Sequence, residues 1–505
     1  MVTFAAVDIG ANSVRLKIAR LRNNRLVELA DDREVVRLGE SVFRSGLLDP
    51  KAMAQTVKVL QRFHREAQVY GATMVRVVAT SSLRDARNSS AFMEWVESAT
   101  GWRVEVISGL EEGRLIHFGV MANAPVHADR VLLMDLGGGS CEITVSIDRQ
   151  ITDIVSLPLG AVRLTREFLQ HDPPKKKELE QLRAFIAEEV GRVERRMKRA
   201  GAQVAIATSG TAAALAGLYA ARADVESSTV PRNVVVQFAG KLSKAGLEQR
   251  RAMPGIGPRR AEIIIAGANV YSELLTRLGL TSFRYLPLGL RDGVLAQMVA
   301  DYDSRTRVRR QVDSEREHSL RELEDRYTVD RRFAERARKN AVELFQRLKP
   351  IHGLPSEYEE WIAAAALLHE IGSYINRAGR HRHAYYLIAH SEIFGFTTHQ
   401  REVVAAIARF MGRSRPTMSH RVVRVLPEPD RQHVVRAVAI LRLVLALDQG
   451  RAGAITTFRT RVHPAEVELI VKAKRGTGDL EMWAVEKERS YFRAVFGRDL
   501  SVALD

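Results

Sequence analysis

One cysteine in 505 residues excludes an intrachain disulfide framework and a thiol-rich zinc site, and it points to a reducing, cytoplasmic setting. That residue, Cys141, reads as a small buried apolar side chain rather than a nucleophile. No apolar run approaches the roughly 20 residues that a membrane-spanning helix needs, so no membrane segment is expected. The chain enters a strand pattern at once, without a charged and apolar leader, so no signal peptide is expected either. Aromatic residues make up 6% of the chain, thin for a surface that stacks bases. Zinc-finger spacings and aromatic-rich RNA-binding signatures are missing as well, so no specific nucleic-acid partner is expected. There is no short-period repeat and no low-complexity tract.

Positive charge is what the chain has in excess. Lys and Arg number 77 against 60 Asp and Glu, a net charge of +17, which predicts a polyanionic partner. Hydrophobic residues at 46% are ordinary for a folded protein, and the length calls for several domains rather than one core.

Two short stretches carry the chemistry: Asp8-Ile9-Gly10-Ala11-Asn12-Ser13 and Asp135-Leu136-Gly137-Gly138-Gly139-Ser140. Each follows an apolar strand-like run, Phe4–Val7 in one case and Val131–Met134 in the other. A carboxylate at a strand end can hold a hydrated Mg²⁺, and a glycine turn lets backbone N–H groups close around phosphate oxygens. Two such turns at domain-sized separation predict a duplicated α/β fold with phosphate held between its halves.

The paired turns resemble the phosphate loops of the actin, sugar-kinase and heat-shock-chaperone superfamily. Ala79–Ala86, Val106–Ile116, Leu157–Leu164 and Thr208–Thr211 narrow the likeness: they resemble the exopolyphosphatase / guanosine pentaphosphate phosphohydrolase family. The resemblance runs in order along roughly the first 300 residues. It implies two actin-like (ribonuclease H-like) α/β domains, at 1–125 and 126–300, facing a central cleft. Beyond them a nearly all-helical pattern, with a densely charged entry at Asp301–Arg326, predicts a helical domain at 301–447, HD-like by its resemblance around His369, and 448–505 reads as a small α+β cap.

The resemblance also implies roles. Asp8, Asp135 and Glu142 would sit on the metal side. Asn12, Ser13, Gly137, Gly138, Gly139, Ser140, Gly210 and Thr211 would hydrogen-bond phosphate oxygens, the last two at a helix start. Arg84 would clamp phosphate through its guanidinium fork. Glu111 and Glu112 both fall in the first turn of an expected helix, where acids also occur for dipole reasons alone. The family motif, with one extra residue in the loop before Asp135, points to Glu112 as the residue that orients or deprotonates water. Departures from the family pattern are Ala11 in place of Ser, Gly113 in place of Ala, and Glu262 in place of Asp. Mg²⁺ is the expected cation, with Mn²⁺ as an alternative and K⁺ as a candidate stimulant.

In the C-terminal half, Leu367-Leu368-His369-Glu370-Ile371-Gly372 resembles the His-Asp signature of HD-type phosphohydrolases, with Glu370 in the Asp position. No clear upstream metal-binding histidine accompanies it, so an HD fold without metal is expected, with Asp448 as a relic ligand. Asn376–Arg424 holds 9 Arg and 5 His against 2 Glu. Arg377, Arg380, His381, Arg382 and His383 are therefore expected to hold a polyphosphate tail away from its reacting end.

Two hydrolytic activities follow: exopolyphosphatase, and 5′-phosphohydrolysis of guanosine pentaphosphate. The first uses a basic body, and the second needs a guanine pocket. An actin-like kinase would need an adenosine pocket, and a nucleic-acid-binding scaffold would need no intact loops. A homodimer is implied by the resemblance.

Overall fold

A computed structural model of the chain describes residues 2–23, 25–199, 201–223, 228–303 and 306–505. It divides into two compact units, Met1–Val312 and Asp313–Asp505. Among the described residues no helix is long and apolar enough to cross a membrane.

The first unit is built on two sheets that repeat one plan. Strands β1 (Thr3–Ile9), β2 (Ser13–Arg22), β3 (Arg25–Val35), β4 (Met74–Ala79) and β5 (Val104–Val106) lie in the order β3-β2-β1-β4-β5. Strands β6 (Arg130–Leu136), β7 (Cys141–Ile147), β8 (Gln150–Leu157), β9 (Val204–Thr208), β10 (Thr229–Pro231) and β11 (Ser282–Tyr285) lie in the order β10-β11-β9-β6-β7-β8. In both sheets an antiparallel meander of three strands is followed by a strand parallel to the first. This repeated order is the actin-like plan. The central strands β1 and β6 are buried along almost their whole length, which is why both read as continuous apolar runs.

Six helices matter for the site: α1 (Pro50–Val69), α2 (Ser81–Asp85), α3 (Gly109–Asn123), α4 (Ala161–Phe168), α5 (Ser209–Ala223) and α6 (Ile264–Arg277). Helix α1 begins on Asp49, whose side chain accepts from the backbone N–H groups of Lys51 and Ala52, with Pro50 at its first position. A seventh, α7 (Leu290–Tyr302), breaks no local rule, yet the sequence did not announce it. It is buried nearly all round, so it shows no apolar stripe.

Helices α3 and α7 change partners. The first packs on β7 and β8 of the second sheet, and the second packs on β1 and β2 of the first. They cross in contact at Gly119 and Gly293, where a Cβ on Gly293 would stand 1.8 Å from the Leu115 carbonyl oxygen. The helix that closes the first half in sequence is thus seated on the second half's sheet.

The second unit is a helical body with its own core. Its main helices are α8 (Arg331–Arg347), α9 (Tyr358–Leu368), α10 (Arg380–His390), α11 (Thr398–Arg409), α12 (Glu428–Ala446) and α13 (Asp479–Phe496). A three-stranded sheet, β12 (Ile455–Val462), β13 (Glu466–Ala473) and β14 (Asp499–Leu504), packs its apolar side into the same core as the helices.

Candidate active-site cleft

The two glycine turns fold alike. Gly10 N–H donates to Ser13 O at 3.1 Å, and Gly137 N–H donates to Ser140 O at 3.0 Å. Their carbonyls are claimed by the segments that follow. Ala11 O and Asn12 O accept from Gly39 and from Val36 and Arg37, while Gly137 O and Gly138 O accept from Ala161 and from Val162 and Arg163. Backbone acceptors that would repel a phosphate are thus already satisfied. The turns also touch: a Cβ on Gly138 would come within 3.1 Å of the Ala11 Cβ, and one on Gly139 within 2.1 Å of Ser81 Oγ. Only glycine permits this approach.

Between the turns lies a cleft of about 270 Å³. Asp8, Asn12, Ser13, Glu112, Asp135, Gly137, Gly138, Gly139, Ser140 and Gly210 all line it. Strand register explains much of this convergence. Asp135 stands beside Glu142 on β7 and beside Thr208 on β9, so the three share one row. Thr208 Oγ1 donates to Asp135 Oδ1. Glu142 is fully buried beneath the cleft floor, its Oε1 accepting from Ser156 Oγ at 2.7 Å.

Glu112 reaches this row because α3 lies unusually close to the sheet. A Cβ on Gly109 would stand 2.2 Å from Ser156 Oγ, and one on Gly113 would stand 2.9 Å from Ile154 Cδ1. Glycine at both positions, one turn apart, sets the helix's N-terminal end down on β7 and β8. The presence of glycine rather than alanine at 113 thereby acquires a steric reason. Glu111 points elsewhere, its carboxylate gripped at both oxygens by the buried Arg114, at 2.8 and 2.9 Å. Arg84 Nη1 lies 3.7 Å from Glu112 Oε2 and donates to Ile107 O at 2.7 Å.

The carboxylates repel one another in a dry place. Burial raises the pKa of Asp8 and of Asp135. Burial, then the neighbouring Asp135, lifts Glu142 to about 7. Burial, then Glu142, lifts Glu112 well above the usual carboxylate range. Among the described residues, Glu142 Oε2 and Glu112 Oε2 are buried without a hydrogen-bond partner, the latter with only Arg84 at 3.7 Å. Such oxygens need a proton or a cation. Among the described residues no three His, Cys, Asp or Glu side chains form a metal-ligand set by themselves.

A wall of cations faces these acids, and the sequence did not reveal it. Arg15, Lys17, Arg33, Arg260 and Arg291 line the same cleft. Pairing of β1, β2 and β3 sets Asp8, Arg15 and Arg33 side by side. Lys17 is tied to Asp292 at 2.8 Å and Glu28 at 2.9 Å, and Arg291 to Asp31 at 2.7 Å. Arg15, Arg33 and Arg260 make no ion pair among the described residues. Burial, then the neighbours Arg15 and Arg291, lowers the Arg33 pKa to about 10. Burial, then Arg33 and Arg15, lowers that of Arg260 to about 9. Cations crowded together in this way favour an anionic ligand.

Thr211 departs from expectation. It does not line the cleft but packs against α6, its Cγ2 2.6 Å from where a Gly267 Cβ would be. Ser209 lines the cleft instead, at φ +70°, with Oγ donating to Leu136 O at 2.7 Å. Glu262 pairs with Arg37 at 2.9 Å.

The basic residues of the second unit do not form one row. Arg377 and Arg380 line a cavity with Tyr327, Tyr374 and Arg451. The His381 ring lies over Gly412, and the His383 Cβ packs against Gly372. Burial, then the charge of Arg382, lowers the pKa of Arg409.

Comparison with known proteins places the whole arrangement. A model of the Ppx/GppA phosphatase family matches residues 17–302, and one of Ppx/GppA phosphatase domain III matches residues 316–489. The Ppx/GppA family member of Aquifex aeolicus is 26% identical, with a TM-score of 0.51, over 60% of this chain and 99% of that one. A solved exopolyphosphatase-like protein is 28% identical, with a TM-score of 0.55, over 58% of this chain and 96% of that one. An exopolyphosphatase from Cytophaga hutchinsonii shares the fold at 23% identity, with a TM-score of 0.56, over 59% of this chain and 97% of that one.

Proposed function

The chain belongs to the Ppx/GppA phosphatase family, and within it we propose that it is an exopolyphosphatase, releasing orthophosphate from the ends of inorganic polyphosphate with Mg²⁺. The observation that carries this reading is the polarity of the cleft: among the described residues, Glu112 and Glu142 each bury an oxygen with no hydrogen-bond partner at one end, and Arg15, Arg33 and Arg260 line the wall without an ion pair. A chain of phosphates with a cation at its reacting end satisfies both.

The terminal phosphate lies between the glycine turns, held by their N–H groups, Asn12, Ser13, Ser140 and Gly210. Arg84 grips one of its oxygens. Arg15, Arg33 and Arg260 take the phosphates behind it. Asp8, Asp135 and Glu142 fit a hard cation, directly or through water, since Mg²⁺ is commonly held by one or two carboxylates, waters and substrate phosphates. When bound, Mg²⁺ offsets charge on the terminal phosphates. Glu112 accepts a proton from the water whose oxygen bonds to the terminal phosphorus; the phosphoanhydride bond breaks, and the shortened chain keeps its bridging oxygen. Mn²⁺ can take the same oxygen ligands.

One feature favours the sister activity on guanosine pentaphosphate. Tyr285, Pro287 and Leu288 form an apolar edge on the cleft, against which a base could lie.

Phosphate release from long-chain polyphosphate and from guanosine pentaphosphate, measured in parallel with Mg²⁺, tests the reading. Release from polyphosphate that falls by about 10²–10⁴ in Glu112→Gln supports it. Release from the nucleotide alone moves the protein to the sister activity, and release from neither sinks both.

A further inference from the structure

The second unit carries a cavity of its own, of about 640 Å³. Its wall comes from three places: the turn Tyr327–Asp330, the stretch from Glu370 to Arg380, and Arg451 after α12. The neighbouring Leu367–Gly372 resembles a metal-dependent hydrolase signature, yet its acids are already neutralised. Glu370 pairs with Arg451, and with Arg380 Nε at 3.4 Å. Asp448 Oδ2 accepts from Arg336 Nε at 2.8 Å, and its Oδ1 from Gly453 N–H at 2.8 Å. His369 turns Nδ1 to the Ala366 carbonyl at 2.8 Å. Guanidinium groups stand where a metal centre would need cations to enter.

This exchange leaves the cavity in want of an anion. Arg377, Arg380 and Arg451 line it against Glu370 and Asp330. Asp330 is committed to capping α8, accepting from Phe333 N–H at 3.2 Å. Arg377 makes no ion pair among the described residues. Beside these cations, Tyr327 and Tyr374 meet edge to face, ring centroids 5.5 Å apart at 72°. Tyr374 is 63% exposed although it lines the cavity. An aromatic face left in water next to an uncommitted guanidinium suits a planar ring that carries an anionic group. The volume falls within the usual span of small-molecule sites, roughly 300–1,000 Å³.

We propose that this cavity binds a nucleoside phosphate without hydrolysing it, the base against Tyr374 and Tyr327 and the phosphate against Arg377 and Arg380. A bare phosphate chain would use the arginines and leave the tyrosines idle. The proposal stands apart from the reading of the cleft, because it draws on none of the cleft's residues.

The test is calorimetric titration of the full chain with ADP, GDP and pyrophosphate. The variants are Tyr374→Ala, Tyr374→Phe, Arg377→Gln and, in the cleft, Arg84→Gln. The expected result is binding of ADP or GDP that weakens about 10-fold or more in Tyr374→Ala and Arg377→Gln. Tyr374→Phe, which keeps the ring, retains the affinity and so excludes a folding defect; Arg84→Gln leaves it unchanged. Nucleotide binding that weakens in Arg84→Gln but not in Tyr374→Ala assigns the ligand to the cleft and overturns the proposal. So does the absence of nucleotide binding, or pyrophosphate binding as tight as ADP and GDP that weakens in Arg377→Gln and not in Arg84→Gln.

Discussion

The cleft of the first unit and the cavity of the second hold the same kinds of side chain in opposite states. Among the described residues, Glu112 and Glu142 in the cleft each bury an oxygen with no hydrogen-bond partner, and Arg15, Arg33 and Arg260 form no ion pair. In the second unit, Glu370 at the cavity and Asp448 outside its lining already have their guanidinium partners. Asp8 on β1 stands beside Arg15 on β2 and Arg33 on β3, while Asp135 and Glu142 share a row on β6 and β7 of the other sheet. Acids near a histidine therefore do not mark a metal centre by themselves. What matters is whether their charge is already matched within the chain, because an unmatched buried charge costs far more than a matched one.

The largest effect expected from breaking this difference, beyond Glu112→Gln, comes from the glycine contact. In Gly139→Ala the new methyl meets Ser81 Oγ and the Phe43 ring, 2.1 and 2.6 Å away, and must push the second turn away from both. Misplacement by about 1 Å can cost on the order of 100-fold in rate. Steady-state phosphate release should show a loss of that order, mostly in kcat, with folding intact by circular dichroism.

Arg33→Gln and Arg260→Gln sharpen the other side. Each removes a charged hydrogen-bond donor from the wall, worth roughly 10-fold in affinity. KM for polyphosphate should rise about that much while kcat changes little, and the salt dependence of KM should flatten. An unchanged KM would show that the substrate does not run along this wall.

The smallest effect is on stability. Glu142 has its folded pKa raised from 4.5 to about 7, chiefly by burial and then by Asp135. The stability it contributes is full below pH 4.5 and is lost as pH rises through about 7. Metal-free protein should therefore melt a few degrees lower at pH 8 than at pH 5.5, and Glu142→Gln should flatten that slope. A slope of the opposite sign in the Glu142 contribution would contradict the burial argument.

Much of the fold was legible because its signals are local. Phe4–Val7 and Val131–Met134 lie within β1 and β6 as expected, since continuous apolar runs bounded by turn residues leave little choice. The paired Asp-glycine turns announced the cleft for the same reason. What was not legible depends on pairing. Arg15 and Arg33 stand apart in sequence and become neighbours only when β2 and β3 pair, while Arg260 and Arg291 come from two further segments. Composition and helix position leave Glu111 and Glu112 alike, the family motif favours Glu112, and the buried Arg114 that holds Glu111 gives the physical reason. Thr211 shows the limit of reading a helix start as an anion site, because the same turn also has a face toward the core.

The measurement that tests the central contrast most directly is Mn²⁺ binding to the full chain, followed by loss of the free-ion electron paramagnetic resonance signal, with and without pyrophosphate. Wild type and the variants Asp135→Asn and Asp448→Asn would be compared. The account predicts Mn²⁺ uptake that pyrophosphate strengthens, that Asp135→Asn abolishes, and that Asp448→Asn leaves intact. Uptake lost in Asp448→Asn and kept in Asp135→Asn would place the unmatched acids in the second unit and contradict it.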